Sequence, residues 1–158
     1  METVYIKTPI GIAQICGNKD GISAITFLNE EQKPCLAIPK ILEEAVLQLN
    51  EYFNGDRTEF TLKLNPQGTT FQKEVWHQLQ SIPFGKTCSY MDMAKKKGNP
   101  KAIRAMASAN GKNPIAIVIP CHRVIGSNGS LTGYAGGLWR KKFLLELEQG
   151  NKQLDMFN

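Results

Sequence analysis

Cys121 and His122 are immediate neighbours, directly after Pro120, in Ile115-Ala-Ile-Val-Ile-Pro-Cys-His-Arg-Val124. A thiol is a useful nucleophile only as thiolate, and a nearby base or positive dipole produces one at neutral pH. On a continuing strand the two side chains would point to opposite faces. Joint action therefore requires the backbone to turn, which Pro120 favours. Cys121 reads as an activated nucleophile; the competing reading is a small, inert core residue at the end of a buried strand. Glu148 is a second candidate. It follows Leu144 by four residues and Leu145 by three, so it borders the inner face of a C-terminal helix. A carboxylate there needs a partner. His122 can serve, as can a lysine or a backbone N–H.

The elements that must position these groups follow from pattern. Ile115 to Ile119 is a continuous apolar run and predicts a short buried strand. Val4 to Phe27 reads as β, with a turn at Asn18-Lys19-Asp20-Gly21. Lys40 to Phe53 predicts an amphipathic helix with Ile41, Leu42, Ala45, Val46, Leu49, Tyr52 and Phe53 on one face and Gly55 to end it. Phe60 to Leu64 alternates like a further strand. Asn65-Pro66-Gln67-Gly68 punctuates the chain and sets an expected boundary. Residues 1–66 would form an α/β structural domain, and residues 67–158 the domain that carries the chemistry.

In the second part, Thr69 and Gln72 have capping-box spacing, followed by a core stripe of Phe71, Val75 and Leu79. His77 falls off that stripe and reads as a surface residue. Tyr90 to Lys97 predicts one helix and Lys101 to Asn110 another. Gly98 breaks the first, Asn99 can cap the second, and Pro100 suits its first position. Helix, short turn, helix is the pattern of a helix-turn-helix. The second helix is rich in small residues: Ala102, Ala105, Ala107, Ser108 and Ala109, with Arg104 in its middle. Small side chains permit close backbone approach to a groove and suit sequence-tolerant, minor-groove binding. The alternative is a buried Ala-rich helix with Arg104 at its solvent edge. Asn113-Pro114 turns the chain, and the Gly-rich stretch from Ile125 to Gly137 reads as a long loop whose N–H groups could line a pocket. Leu138 to Glu148 predicts the last helix, and residues 151–158 read as frayed.

Composition narrows the class. The 158 residues are 42% hydrophobic, which marks a globular chain. No run approaches the roughly 18 apolar residues of a membrane span. The first residues lack a signal-peptide pattern, so a cytoplasmic protein is expected. Cys16, Cys35, Cys88 and Cys121 form no Cys-x-x-Cys, and His77 and His122 are the two histidines, so neither zinc nor disulfides are expected. Residues 1–80 hold 7 Lys/Arg against 10 Asp/Glu, whereas residues 81–158 hold 12 against 4. A basic C-terminal half beside a mildly acidic one fits a polyanion partner, or an ordinary solvated surface.

Taken together, Gly98-Asn-Pro-Lys-Ala102 with Arg104, Asn113-Pro114, Pro120-Cys-His-Arg-Val124 and Gly133-Tyr-Ala-Gly-Gly137 resemble the O6-alkylguanine-DNA alkyltransferases. These are also called methylated-DNA–protein-cysteine methyltransferases. The match runs from about Ser89 to Glu148, final acid included; the N-terminal part matches in its order of elements. The resemblance implies a mixed α/β (α+β) fold. A small ribonuclease H-like sheet-and-helix domain would precede a mainly helical, winged-helix-like DNA-binding domain holding the active cysteine. It implies irreversible, stoichiometric transfer of an alkyl group from O6-alkylguanine, and from O4-alkylthymine, in double-stranded DNA to Cys121. The base would first be flipped out of the duplex. No cofactor, no metal, no membrane and a monomeric state are expected.

By the same resemblance, Glu148, His122 and one water form the chain that activates Cys121, which is triad logic with water as a link. Tyr90 matches the residue that protonates the leaving purine at N3, and Asn113 the one that braces the active-site turn. The carbonyls of Cys121 and Val124 match acceptors for the exocyclic amine of guanine. Tyr134 and the N–H of Ala135 match groups near O6. Arg104 matches the side chain that enters the base stack, and Ala102, Ile103 and Ala107 match minor-groove packing positions. Ser89, Asn99 and Ser127 are expected at phosphates. There are departures from the pattern: Ala135 stands where some members have Ser, and Asn110 where some place an apolar pocket wall. No N-terminal zinc ligands and no additional damage-sensing domain are expected, hence no transcriptional role. Two readings from other classes compete. One is a lesion binder that flips the base without reacting, against which Cys121 counts. The other is a cysteine hydrolase or redox thiol protein, against which the Arg104 helix counts.

Overall fold

The computed structural model describes residues 1–131 and 133–157. The chain divides into two units, residues 1–67 with 114–118, and residues 68–113 with 119–158.

In the first unit, β1 (Glu2–Thr8), β2 (Gly11–Asn18) and β3 (Gly21–Phe27) form an antiparallel sheet in the order β1-β2-β3. Alternation puts Val4, Ile6, Ala13, Ile15, Ile25 and Phe27 into the core, and a register shift between β2 and β3 at Cys16/Gly17 adds Ile22. Gly21, at φ +129°, closes the β2–β3 turn, and a Cβ there would meet the Lys63 carbonyl at 2.8 Å. The expected amphipathic helix begins as a 3-10 turn, Lys40–Leu42, and continues as α1 (Glu43–Phe53). It buries Leu42, Ala45, Val46, Leu49 and Tyr52, while Ile41 stays exposed.

Two expected strands are not strands. In Phe60 to Leu64, Leu64 bridges Ile22, but the backbone upstream is held by a side chain. Fully buried Gln48 accepts from Thr61 N at 3.0 Å and donates to Thr61 Oγ1 at 2.8 Å. In Ile115 to Ile119, a single parallel bridge joins Ile115 to Ile25. Ile25 N donates to Pro114 O at 3.0 Å and Ala116 N to Ile25 O at 3.1 Å. The chain then reverses at Ile117, whose φ is +71°, with Val118 N donating to Ala116 O at 2.8 Å. That is a γ-turn at a β-branched residue, a strained backbone costing about 1–3 kcal/mol. Ile115, Ile117 and Ile119 are all buried. An unbroken apolar run reports burial and is silent on conformation.

The second unit is mainly helical. α2 (Thr70–Leu79) starts from the expected capping box: Thr69 Oγ1 accepts from Gln72 N at 3.1 Å and Gln72 Oε1 from Thr69 N at 2.9 Å. Its inner face is Val75, Trp76 and Leu79; Phe71 is half-buried and His77 exposed. β4 (Cys88–Ser89) leads into α3 (Tyr90–Lys96), which has a second capping box, Ser89 with Asp92. Gly98, at φ +85°, lets the chain turn where a side chain would be strained. Asn99 caps a 3-10 turn, Pro100–Ala102, with Oδ1 accepting from Lys101 N at 3.1 Å, and α4 (Ile103–Gly111) follows. Trp76 Nε1 donates to Ala109 O at 2.8 Å and ties α2 to α4. β5 (Val124–Ile125) pairs with β4 in parallel. The last helix, α5 (Leu138–Phe157), runs on through the segment expected to fray. Among the described residues no helix is long and apolar enough to cross a membrane.

Candidate active site

Pro120, at φ −82° and ψ 64°, lets Cys121 N donate back to Ile119 O at 2.8 Å. This tight turn hands the chain to a 3-10 turn, Cys121–Arg123. Successive side chains of a 3-10 turn are a third of a rotation apart, so Cys121 and His122 avoid the opposite faces a strand would impose. Asn113 Nδ2 donates to Ile119 O at 2.7 Å and closes the base of the loop that delivers the cysteine. Cys121 is 7% exposed. Burial foremost pushes its thiol up; the Asn113 side chain and the Lys141 charge pull it down, and burial wins. The resting group is a thiol, so it needs a base at the moment of reaction.

His122 has no exposed surface, and its Nε2 lies 2.6 Å from Glu148 Oε2. Arg123 forks onto the same carboxylate, with Nε to Oε1 at 2.8 Å and Nη2 to Oε2 at 3.1 Å. Its Nη1 donates to Ile82 O at 2.7 Å. Burial alone would raise Glu148, but the His122 and Arg123 hydrogen bonds and charges outweigh it and hold the carboxyl at about 2. Burial foremost lowers His122, against the Glu148 carboxylate, which raises it. The arrangement is thus an anionic Glu148 held by Arg123 and a neutral imidazole. With Glu148 accepting at Nε2–H, Nδ1 carries the lone pair, and it has no partner among the described residues. The inner partner of Glu148 is therefore His122, as one sequence reading had it, with Arg123 added.

Lys141 is also fully buried. Its Nζ donates to Val124 O at 2.7 Å and sits 5.9 Å from the Tyr90 ring centroid. Burial lowers it, and Cys121 pulls it back up. A cavity of about 590 Å³ is lined by Tyr90, Ile103, Arg104, Ala107, Gly111, Gly133, Tyr134 and Ala135. Tyr134 has a buried hydroxyl without a partner among the described residues. Burial, and then Cys121 nearby, raise it well above the ordinary tyrosine value, so it is a neutral hydrogen-bond donor.

One stretch of this unit presents the expected DNA-facing residues. Arg104 and Ala107 are exposed on α4, and Ala102 and Ile103 are half-buried at its start. Met106, Ala109 and Asn110 form its buried side, while Ala105, Ala107 and Ser108 are exposed, so most of the small residues are open rather than packed away. Ser89 and Asn99 use side-chain oxygens as helix caps, which leaves the Ser89 O–H and the Asn99 Nδ2 as donors for an anion. Ser127 is exposed in the loop after β5.

Arg123 and Lys141 are site groups that sequence reasoning passed over. The signal for Lys141 was the one that flagged Glu148: it lies seven residues before it, on the same face of α5, and a buried charge needs a partner. Arg123 stands inside the Pro120–Val124 motif, but nothing in the spacing links it to Glu148.

The description "6-O-methylguanine DNA methyltransferase, DNA binding domain" matches residues 70–150, and that family's ribonuclease-like domain matches residues 1–66. The methylated-DNA–protein-cysteine methyltransferase of Methanosarcina acetivorans is 47% identical over 155 residues, covering 94% of this chain and 98% of that protein. The Mycobacterium tuberculosis protein of the same name is 44% identical over 155 residues, covering 96% and 94%. The crystal structure of Mycobacterium tuberculosis O6-methylguanine methyltransferase superposes with a TM-score of 0.85 at 43% identity, covering 99% of each chain. A second structure from that organism, in complex with DNA, gives a TM-score of 0.86 at 44% identity, covering 95% of this chain and 94% of that one. The chain belongs to the 6-O-methylguanine DNA methyltransferase family.

Proposed function

We propose that this protein repairs duplex DNA directly, by moving the alkyl group of O6-alkylguanine, or of O4-alkylthymine, onto Cys121 in a single irreversible turnover. The observation that carries the reading is the buried line Cys121–His122–Glu148–Arg123, together with a cavity bordered by the exposed Arg104 helix and by Tyr134, whose hydroxyl interacts electrostatically with Cys121. His122 Nδ1 takes the thiol proton, through one water. The Cys121 thiolate attacks the alkyl carbon, the S–C bond forms, and the C–O6 bond breaks. Its electron pair leaves with the guanine, which takes a proton at N3 from Tyr90. The proton on His122 balances the one Tyr90 gives up. Arg123 keeps Glu148 ionised, and Glu148 keeps His122 in the tautomer with a basic Nδ1. Lys141 supplies positive charge near the forming thiolate.

A base in a duplex stack cannot reach a buried thiol, so it has to be flipped out, at a cost of about a few kcal/mol. Arg104 fills the gap, and Ala102, Ile103 and Ala107 let the backbone approach the minor groove. Ser89, Asn99 and Ser127 hold phosphates. Tyr134 and the Ala135 N–H face O6, and the Val124 carbonyl, already bound by Lys141, offers its second lone pair to the base. The division of labour is structural for residues 1–66 and catalytic for 67–158. The protein works as a monomer in the cytoplasm: every group invoked comes from one chain, and the four free cysteines suit a reducing compartment.

The test is intact mass spectrometry after incubation with a duplex bearing O6-methylguanine. One added methyl per chain, on the Cys121 peptide and saturating at one equivalent, is the expected result. Binding without any mass gain would instead indicate a non-reacting lesion binder.

A further inference from the structure

A pocket that accepts a flipped base must also tell which base it holds, and one buried group has no part in the scheme above. Asn110 is 4% exposed. On α4 it falls on the helical stripe of Ile103, Ala107 and Gly111, all of which line the cavity. Its Nδ2 donates to the Cys121 carbonyl at 3.5 Å. The amide therefore borders the helix face that lines the cavity and touches the residue that takes the alkyl group. That contact also decides which end of the amide is oxygen, since the reverse orientation would set two carbonyl oxygens against each other. Oδ1 is left buried with no partner among the described residues. An unpaired buried acceptor is costly, and it calls for a donor from the bound base.

The chemistry of the lesion supplies that donor. Alkylation at O6 removes the hydrogen from N1 of guanine, so the exocyclic 2-amino group is the one donor left on the pairing edge. Alkylation at O4 of thymine removes the hydrogen from N3 and leaves no donor on that edge. We propose that Asn110 is a specificity-determining residue whose Oδ1 accepts a hydrogen bond from the 2-amino group of the flipped O6-alkylguanine, favouring guanine lesions over thymine lesions. This rests on the alkyl-transfer reading above. Sites built to hydrogen-bond a substrate group reject analogues without it, because the site's own polar atom is then stranded.

The experiment times methyl transfer to Cys121 in single turnover on two duplexes. One carries O6-methylguanine and the other O6-methylhypoxanthine, the same lesion without the 2-amino group. Wild type is expected to react more slowly with the second by about tenfold for the bond to Asn110, at the upper end of the neutral range, and by a further factor for the bond to the Val124 carbonyl. Asn110→Leu and Asn110→Met, which keep bulk and remove the amide, should cut the ratio by about tenfold and leave only the share that the Val124 carbonyl supplies. Asn110→Ala gives the same readout if neither packs well. Each ratio is taken within one protein, so a loss of stability cancels. A ratio unchanged between wild type and the variants overturns the role of Asn110, as does a wild type indifferent to the amino group. Absence of transfer from O6-methylguanine itself would overturn the underlying reading instead.

Discussion

Replacing Glu148 by Gln removes the charge on which two buried neighbours depend. Glu148 is 3% exposed and receives His122 Nε2 at 2.6 Å and Arg123 Nε at 2.8 Å. Its carboxyl stands at about 2 rather than 4.5. At about 1.36 kcal/mol per pH unit, that displacement corresponds to on the order of 3 kcal/mol of folding stability. Because the folded value is depressed, this contribution is present above pH 4.5 and is lost as pH falls toward 2. A second route gives a similar size: removing one partner of a buried ion pair costs about 3–5 kcal/mol, since Arg123 is left charged and unpaired. Gln also presents an amide donor to a site where every neighbour is a donor. Urea unfolding at neutral pH should place Glu148→Gln about 3–5 kcal/mol below wild type. Its stability should then change less than that of wild type across the acid range. His122 adds an earlier limb of the same sign: its value is lowered from 6.5, so wild type begins to lose stability as pH drops below that point. A variant within about 0.5 kcal/mol of wild type at neutral pH, or one with a parallel acid profile, would refute the assignment of Glu148 as the charged centre of the network.

Cys121→Ala should abolish alkyl transfer while leaving affinity for a lesion-bearing duplex unchanged in a gel-shift titration; equal loss of both would make the residue structural. Arg104→Ala should slow repair of duplex DNA far more than reaction with free O6-benzylguanine, and parallel slowing would remove Arg104 from the base stack. Lys141→Met should shift the pH profile of Cys121 alkylation by iodoacetamide upward, because the charge that lowers the thiol is gone. An unmoved profile would confine Lys141 to holding Val124.

The second unit was legible where local rules and tertiary demands agree. The Thr69–Gln72 capping box, the turn at Gly98-Asn99-Pro100 and the inward position of Glu148 are each set by neighbours close in sequence. Legibility failed where distant groups settle the backbone. Gln48 replaces a ladder at Thr61, which alternation in Phe60 to Leu64 cannot reveal. Ile115 to Ile119 has the composition of a strand, yet β3 pairs with it at one residue and the chain then turns. Within the site, Cys121 and His122 were visible because adjacency itself is unusual. Lys141 was hidden because lysine on a helix is ordinarily solvated, and its burial depends on an acceptor, Val124 O, far away in the chain.

Residues 114–118 belong with the first unit, while Asn113 and Ile119, clasped at 2.7 Å, belong with the second. The chain thus makes a five-residue excursion immediately before its cysteine and returns through a closed neck. A fragment cut at residue 67 would keep every group that does chemistry, yet its excursion would have lost β3, its hydrogen-bonding partner at Ile25. Ile115 would lose its bridge, and the strained turn at Ile117 would keep only the Val118–Ala116 bond and the Asn113–Ile119 clasp. The first 67 residues, which take no part in the chemistry, are therefore the mould in which the approach to the cysteine is cast.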